Sequence, residues 1–179
     1  AMRGIDRVFL VTPLSSTETE EGLAVVAAAK RACVRHLVYL SVYHVEQASY
    51  IPHFKSKMKI QRALRDSGMA FTVIMANNFF QNDLLYRESI LKEGIYPQPI
   101  GDIGLNRVDV RDLADAVVAT LTQTGHEFHC YPLIGAEVLN GQDVADIYTR
   151  ALGREIRYGG NDLEVWGKKA THTLPGWLV

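Results

Sequence analysis

The sequence predicts an α/β fold, a doubly wound parallel sheet with helices on both faces, and three observations carry that reading. Short runs rich in β-branched and aliphatic residues recur at residues 5–12, 36–42 and 71–76. Between them lie stretches with helical spacing of apolar residues, 23–34 and 53–66. The strand runs are nearly continuous in apolar residues rather than alternating, which is the pattern of strands buried on both faces.

Each element has its own signal. Residues 5–12 read as a strand ended by Pro13. Thr17 followed by Glu20 matches a capping box and opens the first helix. The strand 36–42 leads to the helix 53–66, which Ser67 and Gly68 stop before the third strand, 71–76. A helix is expected over 81–92, then a glycine- and proline-containing excursion over 97–107. Asp109 and Asp112 cap a helix whose apolar face includes Leu113, Ala116, Val117 and Leu121. Residues 127–134 read as a strand, Asn140 starts a helix that runs to about Leu152, Gly153 ends it, and 155–158 form a last short strand.

Composition excludes several functions. Nineteen basic side chains nearly cancel twenty acidic ones, so there is no electrostatic footprint for nucleic acid. No apolar run approaches the roughly 18 residues of a membrane span, and no signal-peptide pattern opens the chain. A cytoplasmic protein without a membrane partner is expected. The length suits one domain. Cys33 and Cys130 lie far apart without a C-x-x-C partner and are expected as buried free thiols. The histidines show no ligand spacing, so no metal site is expected, and His44, His126, His129 and His172 are given no role.

One residue stands out. At about 100° per residue, Lys55, Lys59, Arg62 and Asp66 share the polar face of their helix, whereas Lys57 falls with His53, Ile60 and Leu64 on the apolar arc. An inward lysine needs an anion, a reacting group or a polar pocket, or else its stem snorkels to water. The glycine signature of dinucleotide folds, G-x-G-x-x-G after a strand, is absent, and Glu18, Glu20 and Glu21 at the first helix start would repel a phosphate.

The segments 4–13 and 28–41, the run His53-Phe54-Lys55-Ser56-Lys57, the segment 67–73, Phe79-Phe80-Gln81-Asn82 and the segment 108–115 together resemble the NmrA-like family, in the same order and over nearly the whole chain. These are atypical short-chain dehydrogenase/reductase relatives that include NAD(P)H-dependent quinone reductases and non-catalytic redox sensors. The resemblance implies a partial Rossmann-like sheet that begins at the family's fourth strand, so the chain is expected to be N-terminally truncated relative to the family. It implies a single domain over 1–179, with a Rossmann-like second half over 1–125 and a small α/β substrate-side portion over 126–179.

It also implies a site. Thr12, Pro13 and Leu14 match the loop that lines the NADP or NAD cofactor, and Lys57 matches a lysine that contacts its ribose and assists proton transfer. Lys57 is expected near Ser41, which matches a position beside the nicotinamide and substrate, and near Asn77. Asn77, Asn78, Phe79, Phe80, Gln81 and Asn82 match residues flanking cofactor and substrate. His53 stands where the wider family has a tyrosine four residues before the lysine, and it is a candidate proton donor. Other duties remain open: Ser41 satisfying a strand end, Asn77 and Asn78 forming a turn or cap, Phe79 and Phe80 packing. Two functions follow from the resemblance. One is a reductase of a quinone or similar carbonyl small molecule, impaired in cofactor binding as this chain. The other is a non-catalytic sensor, regulatory or vestigial module acting through protein partners. A homodimer or higher oligomer is expected through the apolar edge of Val8, Phe9, Leu10 and Val11.

Overall fold

The computed structural model describes residues 2–171. The chain divides into two compact units. Among the described residues, the first holds those up to Asn77 together with Val110–Ile134, and the second holds Asn78–Asp109 and those from Gly135. The excursion before residue 110 belongs with the C-terminal elements.

The first unit is a four-stranded, wholly parallel sheet in the order β1-β2-β3-β6, formed by β1 (Arg7–Leu10), β2 (His36–Val42), β3 (Ala70–Ala76) and β6 (His129–Leu133). Helices α1 (Glu18–Arg31) and α2 (Pro52–Asp66) pack on one face, where Val26, Ala29, Ile60 and Leu64 meet Leu37, Tyr39, Phe71 and Val73. The side chains alternate along each strand. The other set, Val38, Leu40 and Ile74, is equally buried, and α3 (Val110–Thr122) packs against β1, β2 and β3. Both faces are thus covered, which is why β2 reads as an unbroken apolar run.

Gly68, at φ +76°, ends α2 in the left-handed conformation that glycine adopts without steric cost. Strand β1 forms an edge of the sheet, with Leu10 buried but Phe9 and Val11 exposed, Val11 at 54%.

The second unit has two small sheets. β4 (Ile95–Tyr96) pairs in parallel with β8 (Arg157–Tyr158), and β5 (Leu105–Asn106) pairs antiparallel with β7 (Val138–Leu139). Helix α4 (Gly141–Leu152) starts with a reciprocal capping box between Asn140 and Asp143 and ends at Gly153 in the left-handed region. Helix α5 (Leu163–Ala170) starts on Asp162, whose carboxylate accepts from two backbone N–H groups.

Three local expectations change. The 81–92 helix is a 3₁₀ segment, Phe80–Tyr86, followed by a π turn, Ser89–Glu93. Backbone bonds from Phe80 N to the Val108 carbonyl and from Asn82 N to the Phe79 carbonyl tighten its start. Thr17 caps α1 in position only. Its hydroxyl donates to the Glu21 carboxylate instead of bonding the backbone. Cys33 is exposed in the turn after α1, while Cys130 is half-buried. His172 lies outside the described residues.

Candidate functional site

Helix α1 buries Glu18, Gly22, Val26 and Ala29, a stripe at i, i+4, i+8 and i+11 that spans about 80° of the helix. At Gly22 the helix passes so close to α2 that a Cβ there would lie 2.3 Å from Ile60 Cδ1. One turn earlier on α1, the same approach delivers the Glu18 side chain to the first turns of α2. The glutamate is 1% exposed and uses both oxygens. Oε1 accepts from Thr12 Oγ1 at 2.7 Å and pairs with Lys57 Nζ at 3.0 Å, while Oε2 lies 2.8 Å from His53 Nδ1.

Lys57 is therefore inward-facing, as its helical phase required. It is 4% exposed, and its ammonium donates to Thr12 Oγ1 at 2.8 Å and to the Leu40 carbonyl at 3.4 Å, 5.6 Å from the centre of the Tyr39 ring. The carboxylate that holds it is Glu18. Burial pushes the Lys57 ammonium below its ordinary value, and the Glu18 charge partly offsets this. Burial pushes Glu18 up, but hydrogen bonds from His53 and Thr12 and the Lys57 charge more than compensate, so its carboxyl is held below the usual glutamate range.

Thr12 follows the end of β1, and Leu40 lies near the end of β2, so the cluster sits at the carboxyl ends of parallel strands. Pro13 and Leu14 extend from it exposed. Ser41 is buried and donates to Gln61 Oε1 at 3.2 Å. The hydrogen bond from Lys57 to β2 goes to the carbonyl of Leu40, the residue before Ser41, and not to the serine hydroxyl. Asn77, at the end of β3, donates its backbone N–H to the Leu133 carbonyl.

The residues from Asn78 to Asn82 belong to a different constellation, in the second unit. Its centre is Arg107, 2% exposed. The guanidinium forks onto both Asp83 oxygens, at 2.6 and 3.0 Å, and also donates to the Phe79 carbonyl and Asn78 Oδ1. Phe80 lies under it at 5.1 Å. The Tyr148 hydroxyl donates to Asp83 Oδ2 at 2.9 Å, and the Tyr96 hydroxyl donates to Asp83 Oδ1 at 3.3 Å. Gln81 donates to Asp109. These contacts give Asn78, Phe79, Phe80 and Gln81 structural duties. Asn82 donates its backbone N–H to the Phe79 carbonyl, the bond that tightens the 3₁₀ segment.

A dinucleotide of the kind the resemblance implies needs helix N-terminal amides or a glycine turn for its pyrophosphate. The helix after β1 presents Glu18, Glu20 and Glu21 in its first turn, and the Lys57 ammonium is committed to Glu18, Thr12 and Leu40. These residues do not fit a pyrophosphate.

Sequence reasoning missed Glu18, Asp83 and Arg107. Glu18 was legible, because the phase test that singled out Lys57 puts it on the buried stripe of α1. Asp83 and Arg107 lie in irregular segments where no periodicity marks an inward residue.

The comparisons agree with the fold. The NmrA-like family profile matches residues 1–169. An NAD(P)H azoreductase from Xenophilus azovorans is 35% identical over 164 residues, covering 92% of this chain and 57% of that protein. A (4-alkanoyl-5-oxo-2,5-dihydrofuran-3-yl)methyl phosphate reductase from Streptomyces griseus is 36% identical over 159 residues, covering 88% and 56%. The crystal structure of an NADPH-dependent quinone oxidoreductase from Escherichia coli, complexed with NADPH, superposes with a TM-score of 0.89 at 22% identity, over 99% of this chain and 63% of that one. The chain thus spans a little over half the length of the curated relatives it matches. With a profile match over almost its whole length and the parallel sheet in place, the chain belongs to the NmrA-like family.

Proposed function

We propose that this chain is the substrate-facing portion of an NAD(P)H-dependent reductase that acts on a quinone or similar carbonyl, and that these residues by themselves hold NAD(P)H weakly. The observation that carries the reading is the cluster of Lys57 and His53 around one buried carboxylate at the strand ends, where α/β sheets bind ligands. The two reductases at 35% and 36% identity support it. In this reading Lys57 holds Glu18 in place as its counter-ion and His53, 24% exposed on its side chain, is the group able to exchange a proton with a bound molecule. One observation favours a second reading, a non-catalytic sensor or regulatory module: Thr12, Ser41 and Lys57 all spend their polar groups internally.

Calorimetric titration with NADPH and NADH tests the proposal. Saturable binding is expected with a dissociation constant weaker than about 100 μM, which corresponds to less than roughly 5.5 kcal/mol. Low-micromolar binding would overturn the weak-binding element, and no heat at several millimolar (~5 mM) would overturn the cofactor assignment. The open edge at β1, with Phe9 and Val11 exposed, supports pairing with a second copy of the chain. Light scattering at tens of micromolar is expected to give the dimer mass, and a strict monomer would contradict it.

A further inference from the structure

We propose that Glu18 is the positioning residue of this site: it fixes the His53 ring so that Nδ1 always carries a proton and Nε2 is the atom left to exchange one with a bound molecule. The inference rests on the reductase reading only for what that proton is used for. The orientation itself follows from the geometry.

An ionised carboxylate accepts hydrogen bonds and cannot donate. Glu18 is held in the ionised form by Thr12, Lys57 and His53 together, so the 2.8 Å contact between its Oε2 and His53 Nδ1 is an N–H donation from the ring. Nδ1 is therefore protonated in both the neutral and the cationic ring. The proton that comes and goes is on Nε2, which has no partner among the described residues and belongs to a side chain that is partly exposed. A buried carboxylate behind an imidazole is a recurrent means of selecting one tautomer and one ring orientation.

Three titratable side chains, one from each packed element, make up the cluster behind the ring. Glu18 comes from α1, Lys57 lies one turn further along α2, and Tyr39 lies on β2 beneath the Lys57 ammonium. Lys57 is bound to the other Glu18 oxygen, so it leaves Oε2 to the histidine. One carboxylate thus divides its two oxygens between the Lys57 charge and the fixed Nδ1 proton, which leaves Nε2 to exchange.

The test is the ring-nitrogen NMR spectrum of His53, read by long-range ¹H–¹⁵N correlation on the full chain at a pH where the ring is neutral. The spectrum of the unmodified protein decides first. A protonated Nδ1 with an unprotonated Nε2 is expected, and the opposite tautomer, or the mixture of a free imidazole, would overturn the proposal without any mutation. The double variant Glu18→Ala/Lys57→Met, which leaves no orphaned charge, should then release the ring to the free-imidazole mixture. Retention of the Nδ1–H tautomer in that variant would also overturn the proposal. Lys57→Met alone should leave the tautomer unchanged, and a change there would assign the effect to the lysine. A merely structural glutamate would leave the tautomer unmoved in every case. NADPH titration separates the two claims. If the tautomer is as stated and no cofactor binds, the reductase reading fails while the positioning by Glu18 stands.

Discussion

Arg107→Met should destabilise the protein by about 3–5 kcal/mol, the usual cost of removing one partner of a buried ion pair. The arginine forks onto both oxygens of Asp83 and holds the Phe79 carbonyl and the Asn78 side chain, so its loss strands a carboxylate that, among the described residues, the Tyr96 and Tyr148 hydroxyls alone still serve. The tyrosines show how dry this centre is. Burial first, then the Asp83 charge and hydrogen bond, push the Tyr148 hydroxyl up to about 12. Arg107→Lys keeps the charge but not the planar fork, and it should recover less than half of the loss. Arg107→Met/Asp83→Leu, which removes both charges, should return to within about 2 kcal/mol of the unmodified chain. Urea denaturation checks all three. A single variant within about 1 kcal/mol of the parent would show that the pair does not hold this unit together.

Lys57→Met is expected to cost about 3 kcal/mol, near the low end for a broken buried pair. Glu18 keeps two of its partners, Thr12 and His53, but loses the ammonium that pairs with its charge. The methionine stem refills much of the space that the lysine methylenes leave over the Tyr39 ring. The charge, not the packing, should therefore dominate the loss. Adding Glu18→Gln should recover more than half of it, because a neutral amide no longer requires a counter-ion. Thermal or chemical denaturation of the two single variants and the double variant measures the coupling between the residues. Additive losses would show that the two side chains are energetically independent despite their 3.0 Å separation.

The sequence announced regular elements well and irregular ones badly, for a physical reason. Strands β1, β2 and β3 and helices α1, α2 and α4 repeat one environment along several residues, so periodicity and caps reveal them. The phase of Lys57 on α2 was a statement of this kind, and the buried side chain agrees with it. The same arithmetic on α1 shows Glu18 in line with Gly22, Val26 and Ala29. It was overlooked because an acidic residue in a first turn already has an accepted purpose in the helix dipole. The Phe80–Tyr86 segment is different. It is tied down by Arg107, which reaches back to Asn78, Phe79 and Asp83 from more than twenty residues away, and no local pattern encodes such a contact. Ser41 was placed correctly at a strand end, yet its partner Gln61 on α2 follows only from how the helix lies on the sheet.

The proposed ligand site lies where β1 and β2 end, around Thr12, His53 and Lys57. Backbone amide shifts recorded while reduced nicotinamide mononucleotide is added test this most directly, because that probe carries the nicotinamide and ribose without the pyrophosphate that these residues do not fit. Saturable shifts confined to Thr12, Leu14, Ser41, the start of α2 from His53 to Lys57, and Asn77 are expected. Shifts concentrated instead in the second unit, around Arg107 and α5, or none at millimolar probe, would contradict it.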